Sequence, residues 1–142
     1  MTKRNSIICD IDGVILEMPY WHNLEEFYHN LDRCYPVDWA VHLVKGLQQQ
    51  KIKIVFVTAR DEKCRAYTLY QLKQLFDFPI ELYMRGRGDL RPDPDVKREY
   101  IIDLKEKYNI LLCIDDNPDN CKMYNELGLT ALEVKKEKES QQ

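Results

Sequence analysis

No stretch of this sequence is apolar over the length needed to cross a membrane, and the opening Met1-Thr2-Lys3-Arg4 has no signal-peptide core behind it. A cytoplasmic protein without membrane association is expected. Histidine and cysteine lack any metal-binding spacing: His22, His29 and His42 have no partner residues at ligand intervals, and Cys9, Cys34, Cys64, Cys113 and Cys121 are an odd set. Cys9 and Cys113 lie inside apolar runs, where a thiol serves as a small core side chain, and a reducing compartment fits. The pattern Gly-x-x-x-x-Gly-Lys-Ser/Thr is missing, so these residues contain no P-loop kinase. Internal repeats, linkers and low-complexity segments are absent too, and 142 residues read as one domain, 1–142. Positive charge is not in excess. A net charge of −3 argues against bulk coating of nucleic acid and leaves room for a local basic groove.

What is present is an ordinary globular balance, 44% apolar and 32% charged. The organising stretch is Ser6-Ile7-Ile8-Cys9-Asp10-Ile11-Asp12-Gly13-Val14, a buried strand that ends in acids and a glycine turn. Residues 15–37, rich in aromatics and fenced by Pro19 and Pro36, read as a flap with one or two helical turns around 23–31. Asp38 is the expected N-cap of a helix to about Gln50, with Ala40, Val41, Leu43, Val44 and Leu47 inward. Residues 53–58 form a strand covered on both faces, after which Arg60-Asp61 opens a helix to about Phe76. A third strand over 79–84 leads into a Gly/Arg loop at 85–91. Asp93-Pro94 starts a helix that buries Val96, Tyr100, Ile101, Leu104 and Tyr108, with Lys97 in its first turn. A fourth strand over 110–114 ends in Asp115-Asp116. Asn117-Pro118 starts a helix that Gly128 stops, a last strand covers 129–134, and 135–142 is a polar tail. Strands alternating with helices predict an α/β domain, doubly wound on a mostly parallel sheet.

The polar residues at the strand ends are Asp10 and Asp12, Thr58, and Asp115 and Asp116. A parallel sheet brings all its carboxyl ends to one edge, where ligands bind. Several carboxylates at one spot repel each other unless a divalent cation neutralises them, and oxygen ligands without a His or Cys cluster favour Mg²⁺ over zinc. In such a site Asp10 attacks a phosphorus atom and forms an aspartyl-phosphate. Asp12 protonates the leaving oxygen and then activates water. Asp10 and Asp115 hold the cation with help from Asp12, and Asp116 either binds it too or positions Lys97. Thr58 offers its hydroxyl to a phosphoryl oxygen, and Lys97 compensates charge on the transferring group.

Asp-Ile-Asp-Gly-Val at 10–14, Thr58-Ala59-Arg60, Lys97 and Asp115-Asp116, in this order, resemble the four motifs of the haloacid dehalogenase (HAD) superfamily of phosphotransferases. Val14 stands where threonine is commonest, a departure that loses a hydroxyl and no catalytic group. The run Arg87-Gly88-Asp89-Leu90-Arg91-Pro92-Asp93-Pro94-Asp95-Val96-Lys97-Arg98-Glu99 is similar to the third-motif region in the phosphatase domain of bacteriophage polynucleotide kinase/3′-phosphatase, where Gly-Asp-x-Arg runs into Asp-x-x-Val-Lys-x-Glu. The resemblance implies a HAD-like Rossmannoid fold and Mg²⁺ as cofactor. It assigns Asp10, Asp12, Thr58, Arg60, Asp93, Lys97, Asp115 and Asp116 to the site, Arg60 and Asp93 toward substrate; Ala59, Arg87 and Arg91 are further candidates for substrate contact.

HAD enzymes of small molecules often carry a cap domain. Here the place after Gly13 offers only about two dozen residues and the place after the third strand only 85–92, so no large cap is expected. An open site suits a nucleic-acid end, or a partner subunit that closes it. Arg85, Arg87, Arg91 and Arg98 either hold a polyanion's phosphates or are solvated surface. Tyr20, Trp21 and Tyr35 either stack on a base or pack against the domain. Arg60 either touches substrate or pairs with an acid such as Asp61 or Asp93, and Asp93 is also explained as a helix cap. The expected function is a Mg²⁺-dependent phosphomonoesterase that removes a 3′-phosphate from a nucleic-acid end or nucleotide, as a homo-oligomer or beside a separate kinase. The alternative is a small-molecule phosphatase such as a nucleotidase. A phospho-receiver module uses similar groups in another order, and a non-catalytic binding domain does not explain why every catalytic group is present.

Overall fold

The apolar residues of the two most buried strands divide strictly between two faces. In β1 (Arg4–Cys9), Ile7 and Cys9 enter one cluster and Ile8 the other; in β4 (Lys53–Asp61), Ile54 and Phe56 enter the first and Val55 and Val57 the second. Successive side chains of a strand point to opposite faces, so a strand apolar at every position must be covered twice. The computed structural model, which describes residues 2–136, supplies both covers. Helix α2 (Asp38–Gln49) packs Ala40, Val41 and Val44 on the first face, beside Leu72 of α3 (Arg65–Leu75). Helices α4 (Asp93–Lys107) and α5 (Pro118–Glu126) cover the second face with Ile101, Leu104, Met123 and Tyr124.

The main sheet has the order β5-β4-β1-β6-β7, with β5 at Glu81–Arg85, β6 at Tyr108–Asp115 and β7 at Ala131–Glu133. All four pairings are parallel. From central β1 the chain winds outward through β4 and β5, then crosses to β6 and β7 on the other side. The winding reverses beside β1, which is where open α/β sheets form their ligand crevice. Cys9 pairs with Phe56 on one side and Ile114 on the other, and the Asp10 amide donates to the Ile114 carbonyl at 3.0 Å. Asp10 and Asp115 thereby leave adjacent strands at the same level.

The flap is closed at its base by β2 (Leu16–Glu17) and β3 (Tyr35–Pro36), an antiparallel pair that two-residue strands left without a periodic signal. Between them lie α1 (Leu24–His29), capped by the Asn23 side chain, and a 3₁₀ turn at Leu31–Arg33. Met18, Phe27 and Leu31 form a small core of its own, against which Cys34 and Cys64 pack. Val14, the departure from the commonest motif residue, is buried in the main core.

Several details differ from expectation. Tyr108 is the first residue of β6 and not part of α4, and Leu43 of α2 is exposed. The strands expected over 79–84, 110–114 and 129–134 span Glu81–Arg85, Tyr108–Asp115 and Ala131–Glu133. Three element starts differ as well. Asp38 is the first residue of α2 and Val37 occupies the cap position, without a capping side chain. Arg60-Asp61 ends β4 instead of opening a helix: Asp61 caps the 3₁₀ turn Glu62–Cys64 by accepting from the Lys63 amide at 2.8 Å, and α3 follows. Pro92 takes the cap position of α4, because the Asp93 carboxylate is engaged by Arg85. Of the expected tail 135–142, residues 137–142 lie outside the described residues. All five cysteines are free thiols. No helix among the described residues is long and apolar enough to cross a membrane.

Candidate active site

Asp10 and Asp115 are buried, and Lys97, the fifth residue of α4, reaches down between them. Its Nζ donates to Asp10 Oδ1 at 2.9 Å and to Asp115 Oδ2 at 2.7 Å, with the ammonium itself only 1% exposed. Asp115 also accepts from the Asn117 amide at 3.0 Å, Asn120 Nδ2 at 3.1 Å and the Tyr124 hydroxyl at 3.0 Å. Burial opposes its ionisation, yet Lys97 and these donors outweigh burial and hold Asp115 below the usual carboxylate range. At Asp10 the balance is reversed: burial, aided by the Asp115 and Asp116 charges, overrides Lys97 and pushes the carboxyl well up. Burial works against the charge of Lys97 as well, but Asp10, Tyr124 and Asp115 keep it protonated far above its ordinary value.

Asp116 completes a group of three acids, with Asp10 and Asp115, whose oxygens lie within 4.8 Å of one another. Burial raises Asp116 in its turn. With all three ionised, one ammonium would leave two negative charges unbalanced, and this repulsion adds to burial in raising Asp10 and Asp116. An oxygen-only donor set with that surplus fits a hard divalent cation such as Mg²⁺. Asn120 Oδ1, buried with no donor among the described residues, would find one in a hydrated cation. Gly13 has φ +85°, and a Cβ there would collide with the Asp116 carboxylate, so the turn admits glycine alone.

Asp12 is outside this group. Its two oxygens are held by Arg60, through Nε and Nη2 at 2.8 Å each. The remaining guanidinium nitrogen donates to Thr68 Oγ1 at 3.1 Å and Gln71 Oε1 at 2.6 Å, beneath the Phe27 ring. The Arg60 side chain is 1% exposed and committed to protein partners, neither Asp61 nor Asp93 among them. Of the two expected roles the structure shows pairing with an acid, which is Asp12, while Arg60 remains among the residues that line the cleft. Thr58, equally buried, accepts from the Arg60 amide at 3.1 Å through Oγ1, which leaves its hydroxyl proton to donate.

Arg85 organises the opposite lip. It donates to the carbonyls of Ala59 at 2.9 Å, Asp89 at 3.0 Å and Arg91 at 2.5 Å, and it pairs with Asp93. Asp93 thus serves the loop, and Ala59 presents its carbonyl to that arginine. Arg91 is taken up by Asp89 at 2.8 Å and Glu99 at 2.6 Å, and its hydrogen bonds draw the Asp89 carboxyl down to about 2. Arg98 faces Glu126 at the surface. Arg87 is exposed and makes no ion pair among the described residues.

These groups surround a cleft of about 630 Å³, with Asp10, Thr58, Lys97 and Asp116 lining its depth and Trp21 and Leu90 lining its mouth. Tyr35 lies outside it, in a second surface depression beside Trp39. Sequence reasoning missed Asn120 and Tyr124, whose four-residue spacing on one face of the helix after the acidic pair was the available signal. It also missed Gln71 and the hub role of Arg85, for which the sequence carries no local sign.

The sequence matches the family described as the phosphatase domain of polynucleotide kinase PNKP, over residues 4–138. No curated protein matches it. A solved structure of the Pnkp1/Rnl/Hen1 complex superposes with a TM-score of 0.83 at 24% identity, covering 93% of this chain and 45% of that one. A structure of the Pnkp1/Rnl/Hen1 RNA repair complex gives 0.82 at 24%, covering 93% and 42%. The chain spans less than half the length of these neighbours. A class C acid phosphatase from Bacillus anthracis with tungstate bound gives 0.61 at 15% identity, covering 84% and 54%. At these identities the shared property is the fold.

Proposed function

The chain belongs to the PNKP phosphatase-domain family of HAD phosphatases, and from that premise we propose that it removes the 3′-phosphate of a nucleic-acid end, with Mg²⁺, through an aspartyl-phosphate on Asp10. The observation that carries the reading is the placement of Asp10: end of the central strand, ion-paired with Lys97, beside Asp115 and Asp116, in an open cleft. Asp10, Asp115 and Asp116 would hold the cation, which supplies positive charge to the carboxylates and the phosphoryl oxygens.

An Asp10 oxygen attacks phosphorus as the bond to the 3′-oxygen breaks, and Asp12, which takes up a proton from solvent in the substrate complex, gives that proton to the leaving oxygen. Asp12 then takes a proton from water, the water oxygen bonds to phosphorus, and the Asp10–phosphorus bond breaks to release inorganic phosphate. Thr58 donates to a phosphoryl oxygen, and Lys97 keeps Asp10 oriented while offsetting charge in the transition state. Arg60 fixes the Asp12 carboxylate in the ground state. Residues 15–37 form a flap with a three-residue core and no large cap, which suits a polymer end. One of the similar structures is that of an RNA repair complex, which supports a nucleic-acid substrate and a place beside other end-processing proteins; a cytoplasmic location is part of the same proposal.

Phosphate release with Mg²⁺ is to be compared on a 3′-phosphorylated oligonucleotide, its 5′-phosphorylated twin and a 3′-mononucleotide, with Asp10→Asn as blank. Preference for the 3′-oligonucleotide, lost on chelation, is the expected result. Turnover of the mononucleotide alone would make the protein a nucleotidase.

A further inference from the structure

We propose that Leu90, Trp21 and Leu24, exposed apolar side chains of one cleft, form a slot for the nucleobase of the terminal nucleotide whose phosphate reaches Asp10. This deepens the end-phosphatase reading and rests on it. Leu90 is 92% exposed, more than any other large hydrophobic side chain among the described residues. An apolar group left so bare on a mobile loop would carry little meaning, but this loop is clamped. Arg85 bonds the carbonyls on either side of Leu90, those of Asp89 and Arg91. The Arg91 amide donates back across Leu90 to Asp89 Oδ1 at 3.0 Å, and the Arg91 guanidinium grips the same carboxylate. The Gly88 amide fastens the loop to Asp61 at 3.1 Å. Leu90 is thus held out into solvent by polar bonds on both flanks.

Trp21 is 43% exposed, with its ring set edgewise against Phe27 at 5.2 Å, and Leu24 of α1 is 62% exposed. All three line the cleft that contains Asp10. A rimmed apolar patch at the mouth of a polar cleft marks a binding surface. Charge selects the occupant. Lys63 stands in the same wall with its ammonium 4.4 Å from the Tyr28 ring centre, and exposed Arg87 rides on the clamped loop. A planar apolar leaving group attached to further phosphates matches this combination of apolar lips and outer cations.

The test compares kcat/KM on two 3′-phosphorylated oligonucleotides of equal length, one ending in a normal nucleotide and one in an abasic tetrahydrofuran residue, for the wild type, Leu90→Ser and Trp21→Ala. The wild type should favour the base-bearing end roughly tenfold, and Leu90→Ser should bring that ratio close to one through KM, with an unchanged Tm because Leu90 packs on nothing. Equal use of both ends by the wild type, or an undiminished ratio in both variants, overturns the slot and makes Leu90 a contact for a protein partner. If the wild type ignores both oligonucleotides and hydrolyses only a 3′-mononucleotide, the end-phosphatase reading fails instead. The slot is then decided by the ratio between that mononucleotide and ribose 3-phosphate, where equal turnover overturns it.

Discussion

Arg60 binds both carboxylate oxygens of Asp12 from a fully buried position, 48 residues further along the chain. Its other nitrogen is shared by Thr68 and Gln71, and Gln71 in turn donates to the Leu31 carbonyl of the flap at 2.8 Å. The orientation of the acid–base residue and the seating of the flap are therefore fixed by one guanidinium.

Arg60→Lys keeps the charge and loses the two-pronged grip. With Asp12 free to turn, kcat should fall about 10²-fold while KM changes little, since the guanidinium is already spent on Asp12, Thr68 and Gln71. Steady-state kinetics on the 3′-phosphorylated oligonucleotide check this. A raised KM at unchanged kcat would instead return Arg60 to the substrate.

Gly13→Ala should separate metal binding from folding. The positive φ costs about 1–2 kcal/mol for a residue with a Cβ, and that Cβ must displace the Asp116 carboxylate. At a Mg²⁺ concentration about 100 times its Kd, the wild type should gain about 2.7 kcal/mol, a rise in Tm of roughly 8 °C. Gly13→Ala should weaken that affinity about 10–100-fold and show most of its activity loss at limiting Mg²⁺. Thermal melts across a Mg²⁺ titration read both effects.

Acid should loosen the loop that carries Leu90. Arg91 holds the Asp89 carboxyl at about 2, below its value in an unfolded chain. A depressed acid adds its stabilisation above its unfolded pKa, about 3.9, and loses it as pH falls toward the folded value. The loop should thus keep its clamp from neutral pH to about 4 and lose it toward pH 2. Carboxyl NMR of Asp89 follows this, and Arg91→Ala should return its midpoint to about 4.

The fold was legible where burial is twofold: Ile7-Ile8-Cys9 of β1 and Ile54-Val55-Phe56-Val57 of β4 are unbroken apolar runs, so their burial could be read directly. Asp10, Lys97 and Asp115 were legible because their types and order carry the chemistry. Asp38 and Asp93 misled because a helix start is a local signal, while each residue's partner is a tertiary matter; Arg85 claimed Asp93. For Arg60 the nearest acid in sequence was Asp61, and only the closed sheet brings Asp12 to it. Asn120 and Tyr124 looked like ordinary helix residues until β6 placed Asp115 beneath them.

The ion pair between Lys97 and Asp10 joins residues 87 positions apart, one on helix α4 and one at the end of central strand β1, which precedes its neighbour β6 by about a hundred residues of chain. During synthesis the first acid waits without its cation partner or its companion carboxylates until most of the chain has left the ribosome. The three-carboxylate cluster therefore needs residues 10, 115 and 116 together and is complete only once β6 has joined β1. Contacts this distant close slowly, and recovered phosphatase turnover after denaturation is accordingly a readout of the last folding event rather than the first.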